Sequence, residues 1–190
     1  MDFTDYNILT TDSSPRIFNM KLIASSLFIV FCLQFLTSCE YKAPLVKENK
    51  IPIEKTLLGN WEFINEKDKE EKVSLLFLKF SETEYLLHYV EKESDTYFRC
   101  YPIKIGNINC LQLQIISYKN EPISETEEKL YLVYSYKITN DVLEVSGLNE
   151  KLVSDQLENT KSLKKAFLKE KDNKELFTHP GKFKRIPKKE

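Results

Sequence analysis

Between Leu57 and Leu148 apolar and polar residues alternate with a period of two, broken at short intervals by turn residues. Leu130, Leu132, Tyr134, Tyr136 and Ile138 fall on one face of an extended strand, with Lys129, Ser135 and Lys137 on the other. Leu111, Leu113 and Ile115 alternate with Gln112 and Gln114 in the same way. This period marks half-buried antiparallel strands. The runs Lys72 to Phe80 and Glu84 to Val90 are apolar on both faces, as for strands covered on two sides. Gly106-Asn107 between Ile105 and Ile108 is a two-residue hairpin signal, and Asn140-Asp141 predicts a tight turn before Val142 to Val145. Roughly seven strands joined by short turns make a meander, which curls into a barrel or sandwich to remove its edges.

After Gly147 the period becomes helical. Leu148, Leu152, Val153, Gln156 and Leu157 share a helix face, with Asn149 as N-cap. A second helix is predicted from about Ser162 to Phe177, with Leu163, Ala166, Phe167 and Leu176 on one side and a lysine-rich solvated face on the other. Pro180-Gly181 is expected to end it, with His179 at its border and a short last strand over Lys182 to Ile186. The predicted fold is therefore mainly β, an antiparallel meander curled into a barrel, with a helical C-terminal part, across residues 57–190.

Composition narrows the partners more than the fold. The 190 residues carry 28 Lys+Arg against 29 Asp+Glu, a formal charge of -1, which lacks the basic excess that phosphate contacts require. No nucleic-acid partner is expected.

The N-terminal region reads as an address. Lys21 precedes a run without charge from Leu22 to Ser38, the order of a basic segment and an apolar one in a secretory signal. At 17 residues the run is marginal against the roughly 20 needed to cross a bilayer. Leu36-Thr37-Ser38-Cys39 resembles the lipobox of bacterial lipoproteins, an apolar residue, two small ones and then cysteine. The resemblance implies cleavage before Cys39, acylation of its thiol and new amino terminus, and anchoring in a membrane by two or more chains. Residues 20–38 are then the signal peptide. Residues 1–19, with Asp2, Asp5 and Asp12 against Arg16 alone, have the wrong sign for export and read as an extension before the true start at Met20. Glu40 is not the Asp that retains enteric lipoproteins at the inner membrane, so the resemblance favours the outer membrane. Residues 39–56, with Pro44, Pro52 and mixed charge, read as a lipidated cysteine and an extended solvated tether.

At the first strand, Leu57-Leu58-Gly59-Asn60-Trp61 resembles the Gly-x-Trp opening of lipocalin and related calycin barrels. In those proteins the Trp closes one end of an up-and-down barrel, and a cation from the last strand lies over it. The matching positions are Gly59, Trp61 and Arg185. Asp95-Thr96-Tyr97 carries the residues of the second lipocalin signature, Thr-Asp-Tyr, in another order. The chain also resembles small bacterial lipoproteins that join a lipocalin-like sheet to a C-terminal helix, a grouping that implies fold and location without an activity.

Catalytic and metal-binding signals are sparse. The two histidines, His88 and His179, form no His-x-x-x-His or Glu-x-x-His cluster, and Cys-x-x-Cys is absent; no metal site and no cofactor is expected. With four glycines there is no phosphate-cradling loop. His88 lies between Leu87 and Tyr89 and reads as a hydrogen-bonded barrel residue. Glu82 and Glu84, and Glu127 and Glu128, read as solvated pairs beside turns.

Cys100 and Cys110 flank the Gly106-Asn107 turn. A two-residue turn pairs Cys100 with Leu113 and Ile103 with Cys110, placing the thiols on opposite faces, whereas a bulge or odd-length loop would let them bond. Tyr85, Tyr89, Tyr97, Tyr101, Tyr131, Tyr134 and Tyr136 along the strands suit either a filled core or an aromatic-lined interior for a small amphipathic ligand. The functional expectation is a membrane-anchored, non-catalytic envelope module that binds such a ligand or an envelope protein. A protein inhibitor or assembly factor acting through a loop such as Lys119 to Lys129, and an enzyme with His88 as base, are the alternatives.

Overall fold

The computed structural model describes residues 40–64, 73–91, 94–119, 121–123 and 130–187. The extension, the signal segment and Cys39 lie outside them.

Among the described residues nine strands run β1 (Gly59–Phe63), β2 (Val73–Lys79), β3 (Tyr85–Glu91), β4 (Ser94–Ile105), β5 (Ile108–Tyr118), β6 (Glu121–Pro122), β7 (Tyr131–Thr139), β8 (Val142–Leu148) and β9 (Phe177–Ile186). Every pairing is antiparallel, and the order β1-β2-β3-β4-β5-β7-β8-β9 closes back onto β1, so eight strands form a closed barrel. The two-residue β6 only extends the end of β5. Closure removes the open edges that a meander of this length would expose.

Turn chemistry fixes the hairpins. Asn140 and Asp141 both have positive φ, 51° and 58°, as a type I′ turn demands. Gly106, at φ 60°, takes the first central position of the β4–β5 turn, and the register Cys100↔Leu113 and Ile103↔Cys110 follows.

Two apolar clusters result. Inside the barrel lie Trp61, Phe77, Tyr85, Leu87, Phe98, Leu113, Leu143 and Phe183. Outside it, the outer faces of β4, β5 and β7 contribute Tyr101, Ile103, Ile105, Cys110, Tyr131 and Val133 to a second cluster. The one α-helix among the described residues, α1 (Thr160–Lys169), covers this cluster with Leu163 and Phe167. The doubly covered strands are thus these, and not β2 and β3 as their composition predicts. Leu78 at the end of β2 is 45% exposed, and Phe80 just beyond it is 64% exposed.

The C-terminal part departs from the periodicity. Residues 149–159 form turns instead of a helix. Asn149 accepts the Lys151 N–H with its side chain, while its own N–H donates to Leu176 O, so the residue is pinned across the loop and starts no helix. Helix α1 begins two residues earlier than expected, where Asn159 Oδ1 accepts the Ser162 N–H at 2.9 Å, and it stops at Lys169. Leu176 is buried from a turn. Pro180-Gly181 does not end the helix: both lie inside β9, where His179 (φ 54°) and Pro180 oppose Ser146 alone in a bulge. A bulge tolerates Pro because it asks for no ladder N–H there.

The segment expected to be a free tether is packed. Tyr41, Ala43 and Leu45 alternate into the outer cluster, Tyr41 being 1% exposed. Tyr41 exchanges both backbone hydrogen bonds with Tyr131, and its hydroxyl donates to Val153 O at 2.9 Å. Val46 is held by Gln112, whose amide accepts the Val46 N–H at 3.0 Å and donates to Val46 O at 3.1 Å. Gln112 imitates a backbone unit of a neighbouring strand, and this is why a polar residue is fully buried there. The segment is a strap, and its solvated appearance in the sequence comes from Lys42 and Pro44 between the buried positions and from Lys47 just after them.

Candidate functional site

The strap continues to one end of the barrel and stoppers it. Glu54 exchanges hydrogen bonds with the Tyr85 hydroxyl, its N–H donating at 2.6 Å and its carbonyl accepting at 3.1 Å. Its carboxylate also accepts from Tyr136. A 3-10 turn (Lys55–Leu57) then drops Leu57 into the interior. Burial pushes the hydroxyl pKa values of Tyr85 and Tyr136 up, so both stay neutral donors at ordinary pH.

Gly59, Trp61 and Arg185 meet at this end. Trp61 pairs directly with Arg185 across β1 and β9, and the guanidinium carbon lies 4.0 Å from the indole centroid. Trp61 Nε1 donates to Leu57 O at 2.9 Å. Arg185 donates to Leu58 O at 3.0 Å, to Thr56 O, and to Asp141 Oδ1 at 3.0 Å. Gly59 sits at φ 120°, and a Cβ there would approach Arg185 Nη1 to 3.3 Å, so both conformation and space call for glycine. This group joins the first and last strands at the seam of the barrel.

The other end is built from Phe63, Val73, Tyr89, Thr96 and Ile115. Thr96 faces inward beside Tyr89, its register partner, and is 3% exposed. Its hydroxyl has no hydrogen-bond partner among the described residues. A buried hydroxyl left unpaired costs about 1–3 kcal/mol, and Asn60 Oδ1 is likewise buried without a partner among the described residues.

The tyrosines divide. Tyr85, Tyr89, Tyr134 and Tyr136 belong to the interior cluster, while Tyr101 and Tyr131 lie under the strap and helix. Tyr97 is on the outer face, stacked on His88 with ring centroids 4.3 Å apart. His88 Nε2 is 2.7 Å from Asp95 Oδ1, a hydrogen-bonded barrel residue facing outward. His179 is exposed in the β9 bulge. Of the loop Lys119 to Lys129, residues 119 and 121–123 are described, and Glu127 and Glu128 lie outside.

Cys100 and Cys110 are both free and buried, Cys100 in the interior cluster and Cys110 in the outer one. The sheet wall separates them, so the disulfide alternative is excluded. Burial pushes the Cys110 thiol up to about 12 and raises that of Cys100 as well.

Glu84 corrects the reading of a solvated pair. It is 6% exposed and holds a two-pronged ion pair with Arg99, whose Nη2 is 2.7 Å from Oε1 and 2.9 Å from Oε2. Asn49 of the strap donates to the same carboxylate. An acid opening an apolar run is the sequence signal that points there. Among the described residues no group of three His, Cys, Asp or Glu is placed to hold a metal, and no helix is long and apolar enough to cross a membrane. Comparisons with protein-family models, curated proteins and solved structures found no match.

Proposed function

We propose that the chain is a lipoprotein anchored in the outer membrane of a bacterial envelope through acylated Cys39, and that its lipocalin-like barrel is a non-catalytic module binding a small amphipathic ligand. The lipobox-like Leu36-Thr37-Ser38-Cys39 supports the anchor. The closure by Gly59, Trp61 and Arg185 at one end of the barrel supports the lipocalin likeness.

One observation carries the binding reading: the unpartnered Thr96 hydroxyl between Tyr89 and the aromatic interior. The stoppered end and the large interior side chains leave the end near Phe63, Thr96 and Ile115 for the ligand, with an apolar body against Tyr89 and a polar group on Thr96. Thermal unfolding with laurate or anilinonaphthalene sulfonate tests it. A ligand at a hundred times its Kd stabilises by about 2.7 kcal/mol, a rise of several degrees, and Thr96→Val should remove most of that rise. No rise with either probe, together with co-purification of an envelope protein, would replace the ligand by a protein partner. Intact mass and palmitate labelling of wild type and Cys39→Ala test the anchor separately.

A further inference from the structure

Helix α1 buries Leu163 and Phe167 and turns Lys161, Lys164, Lys165, Leu168 and Lys169 to solvent. No acidic residue occurs in the helix. Lys169 pairs with Glu170 at 3.3 Å, just past the helix end, whereas Lys161, Lys164 and Lys165 have no acidic partner among the described residues. Spacings of three, four and seven place these three lysines and Leu168 in one stripe. The chain as a whole is near neutral, so this stripe is a local concentration of one sign.

The strap limits how far the stripe can lie from Cys39. Thr160 Oγ1 donates to Pro44 O at 2.7 Å, joining the start of α1 to the strap. Pro44 lies five positions after Cys39, so the extended chain between them reaches at most about 18 Å. A packed strap leaves no long leash on which the domain stands away from a lipid anchor.

We propose that the exposed face of α1 docks on the bilayer, with Lys161, Lys164 and Lys165 against anionic lipid headgroups and Leu168 entering the interface between them. The proposal rests on the anchor reading and adds the orientation of the domain. Charge complementarity names the occupant: lysines held within roughly one Debye length, about 8 Å, of an anionic surface each strengthen the attraction about fivefold. Leu168, 38% exposed among the lysines, supplies the apolar side chain that such an interfacial helix face carries.

The test uses the chain purified from its native membrane. Intact mass is read first: without lipid on Cys39, the anchor reading falls and this proposal with it. The lipidated protein is then inserted into preformed vesicles of phosphatidylcholine, with or without one part in about three of phosphatidylglycerol, and labelled with a membrane-impermeant amine-acylating reagent. Modification of Lys161, Lys164 and Lys165 is measured against Lys184, exposed on β9 away from the helix-covered face. The expected result is labelling about fivefold slower in the anionic vesicles, reversed by high salt. In the triple variant Lys161→Gln, Lys164→Gln, Lys165→Gln, labelling of Lys169 should no longer depend on the lipid. Equal labelling in both vesicles, with lipid on Cys39 established, overturns the docking while leaving the anchor standing. Protection seen only in native membranes also overturns it and assigns the face to an acidic protein.

Discussion

Trp61 and Arg185 face each other across the β1–β9 seam, the guanidinium 4.0 Å above the indole. The arginine also holds Thr56 O, Leu58 O and the Asp141 carboxylate, so one side chain ties together the 3-10 turn, the first strand and the β7–β8 turn. Arg185→Met keeps much of the stem packing and removes these bonds. It is expected to cost about 2–3 kcal/mol in urea unfolding, combining the cation–π contribution with the unpaired carbonyls. Arg185→Lys should recover less than half, because one ammonium nitrogen cannot reach the three acceptors that Nε, Nη1 and Nη2 each meet separately. Full recovery by Lys would show that only the charge matters.

The two thiols should be silent in the native protein. Buried on opposite sides of the sheet wall, with raised pKa values, Cys100 and Cys110 hold almost no thiolate at pH 8. Iodoacetamide should leave both unmodified in buffer and label both in 6 M guanidinium, without reductant. Labelling only after reduction would mean a disulfide.

Glu84 and Arg99 should behave as a coupled pair. Arg99→Met leaves the buried Glu84 carboxylate with the neutral Asn49 amide in place of a cation, at a cost of about 3 kcal/mol. Adding Glu84→Met should restore part of the loss, since the apolar pair needs no partner while the Asn49 amide loses its acceptor. Additive losses in the double variant would contradict the coupling.

Alkaline pH should unfold the barrel sooner than its neutral stability suggests. Tyr85, Tyr136, Cys100 and Cys110 all have folded pKa values above ordinary ones of 10.0 for tyrosine and 9.0 for cysteine. In this range the unfolded chain releases protons that the native chain keeps. Their stabilisation is complete below about pH 9 and is lost as pH rises from there through the folded values. The urea midpoint should hold between pH 7 and 8.5 and fall steeply by pH 10.5. Tyr85→Phe with Tyr136→Phe should flatten the fall while lowering stability at pH 7.

Tyr41 tests whether the strap belongs to the domain. Tyr41→Ala removes a side chain that is 1% exposed and its bond to Val153 O, and should cost about 3 kcal/mol. A tether residue would cost nothing measurable.

What the sequence disclosed was governed by local chemistry. Gly106 and the pair Asn140-Asp141 fix two hairpins through backbone conformations that few other residues adopt, and the β4–β5 register follows by counting. The meeting of Trp61 with Arg185 was legible only through a family resemblance. The burial of Tyr41, Ala43 and Leu45 was hidden because period two over five residues, crossed by Lys42 and Pro44, is too short a signal. The coverage of β4 and β5 in place of β2 depends on where α1 lands, a long-range choice that strand composition does not encode. Thr96 gave no signal at all, since an unpaired hydroxyl exists only once its neighbours are placed.

The seam between β1 and β9 also sets an order of events. Arg185 reaches Leu58 across 127 residues of sequence, so the ring closes through the pairing with the highest loop-closure entropy in the barrel. The hairpins β4–β5 and β7–β8 have local turns and are free to form early, whereas β1 must wait for β9. Until then both seam strands expose unpaired backbone, and the time between synthesis of the two is when the chain is most prone to pair with another molecule.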